Sequence, residues 1–349
     1  MKFLYSKITS FIYSSTISFL NICLPFFSCK IFKNQLFSDK IRAFYFGRKK
    51  NIDLIKNNQF HVFRTLKSSV IWFHCSSLGE FEQCRPVIEK IKVLLPEYKI
   101  ALTFFSPSGY NVVKNSSLAD WVGYLPLDIS KQMNLIVKFI NPKILILSKN
   151  EFWPNLLYSL KKHKVPVISV SSYFKPYNIF WISWAVWFKD ALKTIDHFYL
   201  ANSDSEKILN QNGISNTTLV GDMRMDRVLN ILNEKRDLKI LDDFLKNDEC
   251  WIAGSTWDLD YSLFIDYIHK KESSKVILAP HECNEKSISL LIQKLKIPYV
   301  LWSNYSYEND KLKKILILDK VGVLKHAYRY AKWVYIGGGM GRSGLHNIL

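Results

Sequence analysis

Val70-Ile71-Trp72-Phe73-His74-Cys75-Ser76-Ser77-Leu78-Gly79-Glu80 is the stretch that decides the fold. Val70–Cys75 reads as a buried strand, and the Ser/Gly loop after it opens a helix over Phe81–Leu95. Val87, Ile88, Ile91, Leu94 and Leu95 recur at helical spacing along that helix. An apolar run feeding directly into a helix is the building unit of a parallel sheet covered on both faces. The pattern repeats downstream, with strands at Ile100–Phe105, Val122–Leu125, Ile144–Leu147, Val165–Val170 and Phe198–Leu200. Ser106-Pro107 has the form of an N-cap followed by Pro at the first helical position. A second series has strands at Thr218–Val220, Trp251–Ala253, Lys275–Ala279, Tyr299–Leu301, Ile315–Leu318 and Trp333–Ile336. Its helices fall at Leu259–His269, Glu285–Leu295 and Leu324–Ala331. Two doubly wound α/β domains follow, residues 51–209 and 210–349, behind a distinct segment at 1–50.

That first segment is basic and apolar. It carries Lys2, Lys7, Lys30, Lys33, Lys40, Arg42, Arg48, Lys49 and Lys50 against one acid, Asp39. The uncharged run Ile8–Cys29 is just long enough to cross a bilayer, and an in-plane amphipathic helix and a core helix of a soluble protein are the competing readings. Most of the basic residues follow the run, which puts the rest of the chain on the cytoplasmic side of a membrane. Over all 349 residues the formal charge is +18, with 48% hydrophobic and 22% charged residues. Disorder is excluded, and anionic partners are expected. The basic residues are not interleaved with aromatics in a nucleic-acid-binding motif, so nucleic acid is not the expected partner. Cys23, Cys29, Cys75, Cys84, Cys250 and Cys283 form no C-x-x-C pair and no zinc spacing. Reduced thiols, no metal and no cofactor are expected.

Ligands of doubly wound sheets bind at the carboxyl ends of strands. Glu80 stands there in the first turn of a helix, beside free backbone N–H groups. Glu151, in Lys149-Asn150-Glu151-Phe152-Trp153-Pro154-Asn155, is a second acid on the same sheet edge. Either acid alone is an ordinary helix start, but two together suit acid/base work on a hydroxyl. In the second half, three loops suit an anion. Gly254-Ser255-Thr256 precedes a helix opened by Asp258, Pro280-His281 follows a strand, and Gly337-Gly338-Gly339-Met340-Gly341 is denser in glycine than a turn requires. The last is neither a P-loop nor a Rossmann fingerprint, so ATP and NAD are poorly supported.

The run Trp72–Glu82 (W-F-H-C-S-S-L-G-E-F-E) resembles the N-terminal signature of the 3-deoxy-D-manno-octulosonic acid (Kdo) transferases. The family's E-x-W-P-N stands at Glu151–Asn155, a loose G-x-x-K-x-D at Gly221–Asp226, and its S-T loop at Ser255-Thr256. The terminal G-G…G-x-H-N segment matches Gly338–Asn347. The resemblance implies a GT-B glycosyltransferase, two Rossmann-like domains with a cleft between them. Such an enzyme moves Kdo from CMP-Kdo to the lipid A precursor lipid IVA in lipopolysaccharide biosynthesis. Glu80 would be the general base, and Ser77, Gly79, Lys149, Glu151, Trp153 and Asn155 would meet the acceptor sugar. Ser255, Thr256, Pro280, His281, Val321, Gly322, Val323, Gly338 and Asn347 would hold CMP. This sequence departs from the family at Pro280-His281, where an arginine is usual, and at Trp257-Asp258, where the family has histidine. It also departs at Leu349, where family members continue; a chain shortened at its C-terminus is expected. A GT-B enzyme using a UDP-sugar and a non-catalytic basic membrane-binding protein are the other readings.

Overall fold

Both sheets are assembled from short apolar runs whose central strands bury most of their side chains. In β1 (Val70–Cys75) each residue is buried, which is what parallel strands covered on two faces require. The structure, a computed structural model, describes residues 2–27, 35–57, 69–182, 185–234, 238–246, 248–270, 274–310 and 312–340. Helices α1 (Lys2–Phe27) and α2 (Gln35–Lys56) precede β1. Then come α3 (Leu78–Leu94), β2 (Lys99–Phe104), α4 (Pro107–Val113), β3 (Trp121–Tyr124), α5 (Ser130–Ile140) and β4 (Ile144–Ser148). They are followed by α6 (Pro154–Lys162), β5 (Val167–Ser172), α7 (Val186–Leu192), β6 (His197–Leu200), α8 (Ser203–Gln211), β7 (Thr217–Leu219) and α9 (Met223–Asn233).

These seven strands form one parallel sheet in the order β3-β2-β1-β4-β5-β6-β7. The chain winds outward from β1 in one direction, then returns to place β4 on its other side. The order therefore reverses between β1 and β4, the position at which doubly wound sheets open a crevice for ligands. Trp72 lies in the core on one face and Phe73 in the core on the other, both fully buried. Burial of side chains this size stabilises by roughly 1.5–3 kcal/mol each.

The second unit contains α10 (Lys239–Leu245), β8 (Cys250–Thr256), α11 (Tyr261–Lys270), β9 (Lys275–Pro280), α12 (Glu285–Lys294) and β10 (Tyr299–Leu301). It continues with α13 (Tyr307–Asp310), β11 (Ile315–Ile317), α14 (Leu324–Ala327) and β12 (Trp333–Ile336). Its parallel sheet runs β10-β11-β9-β8-β12, so its order reverses between β8 and β12. Separate cores cover its two faces.

Two expectations change. The boundary at 209/210 moves to Arg227/Val228, because Thr217–Leu219 pair with Phe198–Leu200 and complete the first sheet instead of starting the second. The spanning reading of Ile8–Cys29, whose last two residues lie outside the described ones, is left without support: no helix among the described residues is long and apolar enough to cross a membrane. Ser10, Ser14, Ser15, Thr16, Ser18 and Asn21 dilute the run. In addition, the Tyr13 ring packs at a tilt on Trp187 at 4.7 Å and its hydroxyl donates to Asp128 at 3.0 Å, which seats α1 on the first unit.

Candidate active site

The first carboxylate follows β1. Ser77 is the extended N-cap of α3, and Glu80 reaches back to it in the manner of a capping box. Its Oε2 accepts the Ser77 N–H at 2.7 Å, the Ser77 hydroxyl at 2.6 Å and the Ser76 hydroxyl at 2.7 Å. All three donors converge on this one oxygen, and Oε1 has no hydrogen-bond partner among the described residues. Gly79 adds no strain. A Cβ there would meet only the Ser77 Oγ, at 3.7 Å, so the missing side chain leaves open space beside Glu80.

The second carboxylate follows β4, across the point of reversal. Lys149 leaves the strand in the left-handed region, φ 56°, and the Ser169 hydroxyl donates to its carbonyl at 2.9 Å. Glu151 Oε2 accepts from the Trp153 indole at 3.3 Å and lies 3.9 Å from His74 Nε2. Burial, and after it the charge of Glu80, pushes the Glu151 carboxyl up to about 7, against the opposing pull of Ser76 and Trp153. Trp153 stacks on Phe105 at 4.9 Å. Arg48 of α2 backs Phe105, with its guanidinium 4.6 Å from the ring, and donates to the Phe105 carbonyl. Burial lowers Arg48 to about 9.

A cavity of about 610 Å³ opens over the ends of β1, β4, β5 and β6, where Glu80, Lys149, Glu151, Lys175, Asp222 and Arg224 line it. Lys175 stands 5.5 Å from each of the Tyr173 and Tyr177 rings. Arg224 clasps Asp222 at 2.6 and 2.7 Å. Burial raises Asp222, but its bonds to Arg224 outweigh that and leave it below its ordinary range.

Glu80, Lys149 and Glu151 thus come together, with Ser77 and Gly79 beside them. Asn155 is spent elsewhere. Its amide donates to the Asp128 carbonyl at 2.6 Å, while the Asp128 carboxylate accepts the N–H groups of Asn155 and Leu156, each at 3.0 Å. Asp128 is 1% exposed and does the work of a remote N-cap for α6, because Trp153 at the cap position offers no oxygen. Burial raises Asp128 to about 6. Sequence reading passed over Asp128; the signal was a Pro-started helix with an aromatic residue where a capping oxygen belongs. Lys175, Arg224 and His74 were also given no role from sequence.

In the second unit the three anion-seat loops cluster at the ends of β8, β9 and β12, which are neighbours in the sheet. Ser255 sits in the left-handed region, φ 53°. The Thr256 hydroxyl bonds to the Tyr261 hydroxyl at 3.0 Å, and Pro280 ends β9. His281 stacks on Trp257 at 4.6 Å. Gly337 has no room for a Cβ, which would come within 2.4 Å of the Ser255 carbonyl and 2.6 Å of Thr256 Cα. Gly338 (φ 97°) and Trp257 both donate to the buried Asp260 carboxylate, at 3.0 and 2.7 Å. Asp260, not the expected Asp258, organises this corner; Asp258 pairs with Lys294 at 2.7 Å. Gly322 turns at φ 89°, between exposed Val321 and buried Val323. Asn347 and residues 341–346 lie outside the described residues.

The sequence model of the 3-deoxy-D-manno-octulosonic-acid transferases (Kdo transferases) matches residues 47–227, which include both carboxylates and the whole first sheet. The chain belongs to the Kdo transferase family. A bifunctional glycosyltransferase/methyltransferase of Fusobacterium nucleatum is 26% identical, over 80% of this chain and 45% of its own length. The 3-deoxy-D-manno-octulosonic acid transferase of Aquifex aeolicus is 27% identical, over 80% of this chain and 72% of its own. That of Haemophilus influenzae is 24% identical, over 80% and 67%. The chain therefore spans less than half of the first relative. Among solved structures, UDP-GlcNAc 2-epimerase from Neisseria meningitidis superposes with a TM-score of 0.54 at 11% identity, covering 76% of each chain. A putative UDP-N-acetylglucosamine 2-epimerase from Listeria monocytogenes gives 0.54 at 10%, covering 77% of this chain and 74% of its own. At such identities the likeness is one of fold: two parallel α/β sheets of the GT-B type.

Proposed function

We propose that this Kdo transferase family member is an inverting glycosyltransferase that moves Kdo from CMP-Kdo to lipid IVA in lipopolysaccharide biosynthesis. The observation that carries the reading is the carboxylate pair flanking the reversal point of the first sheet, one acid held as an acceptor and the other pushed toward neutrality. Glu80 takes the proton of the acceptor sugar hydroxyl through its unpartnered Oε1. The alkoxide-like oxygen attacks the anomeric carbon of Kdo, the bond from that carbon to the phosphate oxygen breaks, and CMP departs. A single displacement inverts the centre. General-base catalysis of this kind contributes roughly 10²–10⁴-fold. Lys149, Lys175 and Arg224 suit the anionic groups of a phosphorylated glycolipid and a sugar acid. Ser255, Thr256, Pro280, His281, Val321, Gly322, Val323 and Gly338, with Asn347, are the groups proposed to hold CMP.

The exposed side chains Ile8, Phe11, Ile12, Phe19 and Ile22 of α1 recur at helical spacing. That stripe supports an in-plane helix on the cytoplasmic face of the inner membrane, favoured by the +18 charge. The test is transfer from CMP-Kdo to lipid IVA, read by mass spectrometry, with Glu80→Gln beside the native protein. A product heavier by one or more Kdo units, lost in the variant, is expected. No mass increase with the native protein, or equal transfer by the variant, overturns the reading.

A further inference from the structure

We propose that His74 is a positioning residue for the second carboxylate: its Nε2 accepts the proton of Glu151, keeping one acid of the pair neutral while Glu80 is left to act as base. The inference rests on the function proposed above.

His74 lies on β1 and is fully buried. Its Nδ1 is 3.1 Å from the Thr103 carbonyl and 3.0 Å from the Thr103 hydroxyl oxygen, both on the neighbouring β2. A carbonyl can only accept, so Nδ1 carries the hydrogen. The surroundings of Thr103 agree: its hydroxyl donates to the Phe73 carbonyl and accepts from the Trp72 indole at 2.8 Å, which leaves that oxygen an acceptor toward His74. A neutral imidazole protonated at Nδ1 presents a bare lone pair at Nε2. Nε2 has no hydrogen-bond partner among the described residues. The acidic atom facing it is Glu151 Oε2, 3.9 Å away.

A buried acceptor without a donor is unfavourable, and the group facing this one is an acid that can bring a proton. The alternative, moving the proton to the ring, is disfavoured because burial lowers His74 to about 4. Burial and the charge of Glu80 hold Glu151 up to about 7, and two neighbouring carboxylates resist ionising together. Closing 3.9 Å to hydrogen-bond length takes under about 1.5 Å of side-chain movement. Of the other ionisable groups, Glu80 from α3 acts on both, Arg48 from α2 on His74, and Cys75 from β1 interacts with Glu151, while Cys84 from α3 is linked to the pair through Cys75 and Glu80, and Lys149 from the turn after β4 through Cys84. None of them presents a lone pair to Glu151 in the way Nε2 does. The consequence is a site with one base and one acid at the reversal point, whose alkaline limit is the ionisation of Glu151.

The test needs no substrate. The ¹³C carboxyl resonance of Glu151, assigned by its loss in Glu151→Gln, is titrated from pH 5 to 9 in the native protein and in His74→Asn. Asparagine keeps a donor near the Nδ1 position for Thr103 and has no atom at the Nε2 position. A native midpoint near 7 that falls by about one unit in His74→Asn is expected; an unmoved midpoint overturns the proposal. The ring ¹⁵N shifts of His74 in the native protein give an answer that does not depend on the variant folding. An unprotonated Nε2 whose shift moves as Glu151 ionises is expected, and a proton resident on Nε2 overturns the assignment. In the transfer assay the alkaline limb of kcat/KM moves down with the same unit in His74→Asn and is absent in Glu151→Gln. A shifted carboxyl titration alongside absent Kdo transfer would mean that the proposed function has failed and that the His74–Glu151 pairing has not.

Discussion

The two sheets solve the same local problem with the same device and then diverge. In each, a strand next to or at the reversal point ends in a register shift, between Val170 and Ser172 and between Gly254 and Thr256. The residue inside each shift is a serine in the left-handed region, Ser171 at φ 55° and Ser255 at φ 53°. Around the first, the protein installs titratable groups and sets their state by burial, shared donors and mutual charge. Around the second it installs glycines and hydroxyls, and the one buried acid, Asp260, is consumed in holding the loop together. The first corner is set by charge and the second by shape. Variants in the first should therefore show in pH dependence, and variants in the second in folding of the loop.

The largest effect is expected where a buried charge supports the first corner from behind. Asp128→Ala removes the acceptor of two backbone N–H groups and of the Tyr13 hydroxyl. Orphaned buried donors cost about 1–3 kcal/mol each, so a loss of about 3 kcal/mol is expected in chemical denaturation, with faster hydrogen exchange at Asn155 and Leu156. Unchanged exchange at those two amides would show that α6 starts without its remote cap. In the second corner the counterpart is steric. Gly337→Ala drives a Cβ into backbone atoms of Ser255 and Thr256, and overpacking against groups that cannot rotate away costs roughly 1–3 kcal/mol. Gly79→Ala, with open space around the new methyl, should stay within about 0.5 kcal/mol of the native protein. Equal melting losses for the two alanine variants would erase the contrast between the corners.

A fourth variant separates charge from shape. The Glu151 carboxyl rises from its ordinary 4.5 to about 7 on folding, so the folded state binds its proton more tightly than the unfolded one. That stabilisation is complete below about pH 4.5 and is lost as pH rises through 7. Glu151→Gln cannot ionise. It should be more stable than the native protein at pH 8 by about 3 kcal/mol, and this advantage should vanish near pH 4. Urea midpoints of both proteins at the two pH values give the answer directly; a difference that does not change with pH would remove the electrostatic account of this corner.

How much of this is written in the sequence differs between the corners for physical reasons. Val70–Cys75 is legible to the residue, because a doubly buried strand must be a continuous apolar run; Trp333–Ile336 is found by the same apolar run although Trp333 and Val334 are exposed. Glu80 and Glu151 are legible because each lies in a strand-to-helix turn. Asp128 is not, since it precedes α5 in sequence and caps α6 in space. The end of the first unit is misplaced because β7, Thr217–Leu219, is short, partly exposed and polar, and only its pairing with β6 reveals its sheet. Asn155 belongs to the right motif, yet its amide is turned to Asp128, a choice fixed by tertiary hydrogen bonding. In the second unit Asp260 is hidden by Asp258 two residues earlier, an equally good helix opener by pattern that the structure leaves in a surface ion pair.

The smallest effect tests the shared device itself. A non-glycine residue in the left-handed region carries roughly 1 kcal/mol of strain that glycine does not. Glycine in turn gives back part of that gain through the greater freedom of the unfolded chain. The Ser171 hydroxyl has something to lose, since it accepts weakly from the Met223 N–H at 3.4 Å and faces Asp222 at 3.5 Å. No side-chain hydrogen bond of Ser255 is present among the described residues. Ser255→Gly should therefore gain a few tenths of a kcal/mol, roughly 0.5, while Ser171→Gly should be neutral or lose a comparable amount. Paired denaturation curves measured at one pH resolve a difference of that size between the two variants. The opposite order would mean that the strain at Ser255 is already relieved by the loop that closes over it, and that the second corner, like the first, is held by its hydrogen bonds more than by its shape.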